Sequence, residues 1–166
     1  MRMFILLGSN IEPRQNLARA LVELRRRFKV TAVSPVYRTA PVGDAKQPDF
    51  WNLAVELDND EPPQKVQGAL RFIEEILGRH RDAQRPYGPR SVDLDLVLVE
   101  GLAGSFGALE LPSPLVAKES FVAVPLADLA PKLSHPSLKI TLGELARALV
   151  TKDPHPPRSL AVELTE

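Results

Sequence analysis

The stretch "VTAVSPVYRTAPVGDAKQPDFWNLAVEL", Val30 to Leu57, carries the choice of fold. Val30 to Tyr37 reads as a strand, and "RTAPVGDAKQP" (Arg38 to Pro48) is a loop punctuated by proline and glycine. "FWNLAVEL" alternates with period two. Trp51, Leu53, Val55 and Leu57 share one face, predicted to be core, while Phe50, Asn52, Ala54 and Glu56 share the other. Two strands joined by a loop with no helix between them can pair as antiparallel neighbours. That favours an α+β fold with a mainly antiparallel sheet over a doubly wound parallel one, although strands and helices alternate elsewhere.

Working outward, "MFILL" (residues 3–7) is a short apolar strand ended by Gly8-Ser9-Asn10. A helix follows in "RQNLARALVELRRRF", where Leu17, Leu21, Leu24 and Phe28 form one face and Arg25, Arg26 and Arg27 close the last turn, favourably for the helix dipole. Beyond Leu57, a second helix starts near Pro62-Pro63, carries Val66, Leu70, Ile73 and Leu77 on one side, and stops at Gly78. Further on, "SFVAVPLADLAP" reads as a short apolar strand with a turn and "TLGELARALV" as a final helix. The proline-broken tail from Thr151 is predicted to be irregular, within a single domain spanning 1–166.

With 21 basic and 21 acidic residues among 166, the chain lacks the positive balance of a nucleic-acid or membrane-surface binder. The absence of cysteine excludes disulfides and thiolate zinc sites, and His80, His135 and His155 are too scattered for a histidine metal cluster. The opening apolar run is too short for a signal peptide, so a cytoplasmic enzyme or binding domain is expected.

The chemistry concentrates in "RPYGPRSVDLDLVLVE", Arg85 to Glu100. On a strand, Asp93 and Asp95 point to one side and Val92, Leu94 and Leu96 to the other. Two like charges at that spacing call for cations, and an all-oxygen donor pair suits magnesium, which leaves its other positions to water and substrate phosphates. The preceding loop, Arg79 to Arg90, holds four arginines against one aspartate, and guanidinium forks match phosphate oxygens in charge and shape. An isolated Asp-x-Asp is more often a solvent-facing edge, and an arginine-rich loop alone is usually just solvated. Their adjacency points to phosphate handling. There is no P-loop signature, and Gly8-Ser9-Asn10 is not a dinucleotide fingerprint.

Several stretches together resemble one family, the 6-hydroxymethyl-7,8-dihydropterin pyrophosphokinases of folate biosynthesis. They are "LGSN" (Leu7 to Asn10), "SPVYRTAPVG" (Ser34 to Gly43), "QPDFWNLAVEL" (Gln47 to Leu57), "LGRHR" (Leu77 to Arg81), "YGPRSVDLDLVL" (Tyr87 to Leu98) and "FVAVPLADLAP" (Phe121 to Pro131). The resemblance implies a ferredoxin-like fold and transfer of pyrophosphate from ATP to the pterin hydroxymethyl group, releasing AMP. It makes Asp93 and Asp95 ligands for two magnesium ions, places Arg90 near the reacting phosphates, and puts Arg79 and Arg81 in the closing loop. Glu74 and Tyr87 fall on the ATP side. Thr39, Ala40, Val42, Phe50, Asn52 and Phe121 fall on the pterin side, with the two phenylalanines stacking and Asn52 hydrogen-bonding. A monomer is implied, with no nucleic-acid or membrane partner.

The chain departs from the family pattern at "LPSPLVAKESF", where Ser113 replaces an expected histidine and Glu119 an expected phosphate-binding arginine. The charge reversal at Glu119 would repel an anionic ligand unless the side chain turns to solvent or pairs, and Lys118 is expected to supply the missing cation to ATP. A catalytically weakened pterin- or nucleotide-binding homologue is the alternative reading.

Overall fold

The computed structural model describes residues 1–41, 46–78 and 92–164. Strand β1 (Arg2–Ser9) is followed by helix α1 (Pro13–Arg27), and the Val30–Tyr37 segment divides into β2 (Lys29–Val33) and β3 (Val36–Thr39). Ser34-Pro35 makes the break, since proline cannot donate to a ladder. Then come β4 (Phe50–Asp58), α2 (Pro63–Ile76), β5 (Asp93–Val99) and a hairpin of β6 (Gly104–Phe106) and β7 (Leu109–Leu111). The remainder is α3 (Pro114–Lys118), α4 (Ser120–Leu129), α5 (Leu142–Lys152) and β8 (Arg158–Leu160).

The main sheet runs β5-β1-β4-β3-β8, with β2 pairing further along the same edge of β4 as β3. Every recorded pairing is antiparallel, and β3 and β4 are neighbours as Val30–Leu57 predicts. The alternating side chains divide the core in two. Met3, Ile5, Leu7, Leu53, Val55, Leu57, Leu94 and Leu96 pack against the apolar stripes of α1 and α2. Phe4, Leu6 and Ala54 pack on the opposite face against Val116 of α3, Val122 and Leu126 of α4, and Leu145 of α5. The fold is thus α+β and ferredoxin-like, an open sheet with helices on both faces.

Three segments lie outside the sequence expectations. "SFVAVPLADLAP" forms α4 rather than a strand. Val122, Ala123, Leu126 and Ala130 step along one helical face into the second core, and that burial outweighs the single backbone bond lost at Pro125. The tail is not wholly irregular, since Arg158–Leu160 pairs with β3, Val36 facing Leu160 and Arg38 facing Arg158. The β6–β7 hairpin gave no strong periodic signal, its strands being three residues each. Gly78 ends α2 as expected, at φ 81°.

Candidate active site

The site gathers where β1 and β3 end and β4 and β5 begin. Register aligns it: Gly8 lies opposite both Asn52 and Asp93, and Leu6 opposite both Ala54 and Asp95. These rows share the face that carries α3 and α4. Asp93 and Asp95 therefore emerge beside Asn52 on the face opposite Leu94 and Leu96, as their spacing predicts.

A cavity of about 160 Å3 opens there, bringing Thr39, Ala40, Phe50, Asn52 and Phe121 together with Asp93 and Asp95. Asn52 is buried and its Nδ2 donates to Thr39 Oγ1 at 2.6 Å, which fixes the amide plane. Gly8 forms part of the floor. A Cβ there would stand 2.8 Å from Asn52 Oδ1, so only glycine leaves that amide in place. Asn10, from the same "LGSN", donates through Nδ2 to Gln47 Oε1 at 2.7 Å and to the Pro48 carbonyl at 3.1 Å, tying the end of β1 to the approach to β4.

The aspartate strand is held from α2. Among the described residues β5 is a sheet edge, and residues of the helix bond it where a neighbour strand would. Gln67 Oε1 accepts from the Leu96 N–H at 2.9 Å, and Glu74 Oε2 accepts from the Leu94 N–H at 2.8 Å. Arg71 donates to the Leu94 carbonyl at 3.1 Å, to both Glu74 oxygens, and to Asp95 Oδ1 at 2.9 Å. Burial opposes the Arg71 charge, but Asp95 and Glu74 more than offset it and hold its pKa above the ordinary value.

Glu74, expected on the ATP side, is 2% exposed and does not line the cavity. Its carboxylate acts on the backbone of β5 and on Arg71. Ser113 caps α3, its side chain accepting from the Leu115 N–H at 3.3 Å. Lys118 ends α3 exposed and is not part of the cavity wall, whereas Glu119 lines it. Glu119 is half-buried at the cavity, and no hydrogen bond or ion pair with a described residue engages its carboxylate. Val42, Arg79, Arg81, Tyr87 and Arg90 lie outside the described residues.

Gln67 and Arg71 carried no expectation. Their signal was a polar row, Gln67, Arg71 and Glu74, stepping by four and three beside the apolar row of α2. Among the described residues no group of three His, Cys, Asp or Glu is placed to hold a metal, and no helix is long and apolar enough to cross a membrane.

Sheet, helical layers and a cavity walled by aromatic rings and carboxylates define an enzyme of the ferredoxin-like α+β class. The chain belongs to the 7,8-dihydro-6-hydroxymethylpterin-pyrophosphokinase (HPPK) family, whose model matches residues 4–131. It is 39% identical over 138 residues to the 2-amino-4-hydroxy-6-hydroxymethyldihydropteridine pyrophosphokinase of Pseudomonas aeruginosa, covering 81% of this chain and 84% of that protein. The Methylorubrum extorquens protein of the same name is 38% identical over 157 residues, covering 92% and 94%. Among solved structures, Plasmodium falciparum HPPK-DHPS wild type with pteroate superposes with TM-score 0.71 at 12% identity, over 91% of this chain and 42% of that one. At that identity the likeness is one of fold.

Proposed function

We propose that the protein transfers pyrophosphate from ATP to the hydroxymethyl group of 6-hydroxymethyl-7,8-dihydropterin, giving AMP and the pterin pyrophosphate in folate biosynthesis. The observation that carries this reading is one cavity in which two aromatic rings and a fixed amide adjoin paired carboxylates. Phe50 and Phe121 supply ring faces for a flat heterocycle, and Asn52, locked by Thr39, reads its polar edge.

Asp93 and Asp95 fit magnesium: both are oxygen donors on one strand face at the cavity wall, and two protein ligands leave room for water and phosphate. When bound, two such ions would neutralise charge on the phosphate oxygens. The chain's own part is positional. Arg71 and Glu74 hold the backbone and one carboxylate of β5 in place, and the pocket sets the hydroxymethyl oxygen in line with the β-phosphorus. A bond forms between that oxygen and the β-phosphorus as the bond from the β-phosphorus to the AMP oxygen breaks, AMP leaves, and the hydroxyl proton passes to solvent. Arg79, Arg81, Tyr87, Arg90 and the exposed Lys118 complete the ATP side of this proposal, with Glu74 acting there through β5. The enzyme works as a cytoplasmic monomer.

The test is a magnesium-dependent reaction with ATP, run with and without the pterin, resolving AMP from ADP. AMP formed only with pterin is expected. Pterin binding without AMP would favour the weakened homologue, and indifference to pterin would overturn the substrate assignment.

A further inference from the structure

Glu119 sits between two helices in extended backbone, φ −117° and ψ 120°. Its N–H donates to the Leu115 carbonyl at 2.8 Å, and its own carbonyl accepts from the Val122 and Ala123 N–H groups, both at 3.1 Å. With the backbone fixed on both sides, Glu119 lines the cavity beside Phe121. It also borders an adjoining cavity of about 200 Å3 that reaches the tail at Asp153, His155 and Pro157. The two cavities share Thr39, Ala40, Glu119 and Phe121, so Glu119 stands on the pterin-facing wall.

A carboxylate accepts hydrogen bonds and repels phosphate. Of the acidic residues on the main cavity among the described residues, Asp95 is engaged by Arg71 and Asp93 makes contacts of its own, whereas no described residue engages the Glu119 carboxylate. A group so placed has its complement in a donor on the bound molecule. Resting on the pterin reading above, we infer that Glu119 is a specificity-determining residue that accepts a hydrogen bond from an N–H or O–H donor of the reduced pterin, making a charge-assisted bond where an arginine would have faced phosphate. Asn52 reads the ligand from the sheet and Glu119 from the helical layer.

The test is the affinity for 6-hydroxymethyl-7,8-dihydropterin, by calorimetry without ATP, of the wild type, Glu119→Ala, Glu119→Gln and Asn52→Ala, with melting temperatures alongside. Glu119→Ala is expected to weaken binding about tenfold or more at an unchanged melting temperature, and Glu119→Gln, which keeps an acceptor without the charge, to weaken it about threefold. Wild-type affinity in both Glu119 variants overturns the inference, as does wild-type affinity in Glu119→Gln should the alanine variant not fold. Loss of binding in Asn52→Ala alone would remove Glu119 from recognition and leave the pterin reading standing. A wild type that binds no pterin, either alone or with magnesium and a non-hydrolysable ATP analogue, removes both.

Discussion

Gly8 shows how little of a binding site has to be side chain. In register between Asn52 and Asp93, it matters because it has no Cβ. In Gly8→Ala the methyl would push the Asn52 amide out of its 2.8 Å margin and away from Thr39 Oγ1. The expected result is pterin binding weakened about tenfold, with a much smaller loss of stability, read by titration calorimetry against thermal melting. Unchanged affinity would mean that Asn52 does not read the ligand. At this scale the sequence was informative about the residues that line the cavity. Phe50 and Asn52 fall on the strand face opposite Leu53, and Asp93 and Asp95 opposite Leu94, because a period of two is a rigid rule. It said nothing from composition or spacing about Gly8 as floor, since that depends on which residue of another strand lies opposite.

The latch between α2 and β5 is the clearest device at the level of elements. Val66, Leu70 and Ile73 anchor the helix in the core, while Gln67, Arg71 and Glu74 bond the open edge of the strand. Glu74→Ala would leave the buried Leu94 N–H without this acceptor, a cost of about 2 kcal/mol in urea unfolding. The ion pair joins a carboxylate that is 3% exposed to a guanidinium that is 38% exposed, and its loss adds to that cost. Glu74→Gln, which keeps an acceptor, should recover part of the loss; equal destabilisation by both would assign the effect to charge. The apolar row of α2 was readable from its period, but the polar row was not, because helical periodicity shows which face packs and not which strand edge the margin reaches. α4 was misread for a related reason. Its apolar residues are dense enough to suit either period, and the helix is held by the second core in spite of Pro125. The three residues of β8 follow several prolines and become a strand only because the edge of β3 is available.

The whole molecule is a sheet between two helical layers, and its response to acid should be centred in the layer that carries the site. His135 is buried near the α4–α5 connection, where its Nδ1 accepts from the Ser137 and Leu138 N–H groups at 3.2 and 3.1 Å. Burial lowers its pKa below the ordinary 6.5. The unfolded chain therefore takes up the proton first as pH falls. The stability this neutral histidine contributes is full above pH 6.5 and is lost as pH drops through the lowered native value. His135→Asn, which keeps an acceptor but does not titrate, should lose less stability between pH 7 and pH 5 than the wild type, measured by urea midpoints. Parallel losses in both proteins would place the acid sensitivity elsewhere. The arrangement also bears on the order of events in folding. β1 lies inside the sheet, with Ile5 facing Val55 on one side and Leu96 on the other, so neither of its partners is close in the chain. Helices can form from local contacts, but the middle of the sheet must wait for two long closures, each opposed by chain entropy until the strands engage. Asn52, Gly8 and Asp93 come into line only when both closures are complete, so the binding cavity and the centre of the sheet come into being in the same event.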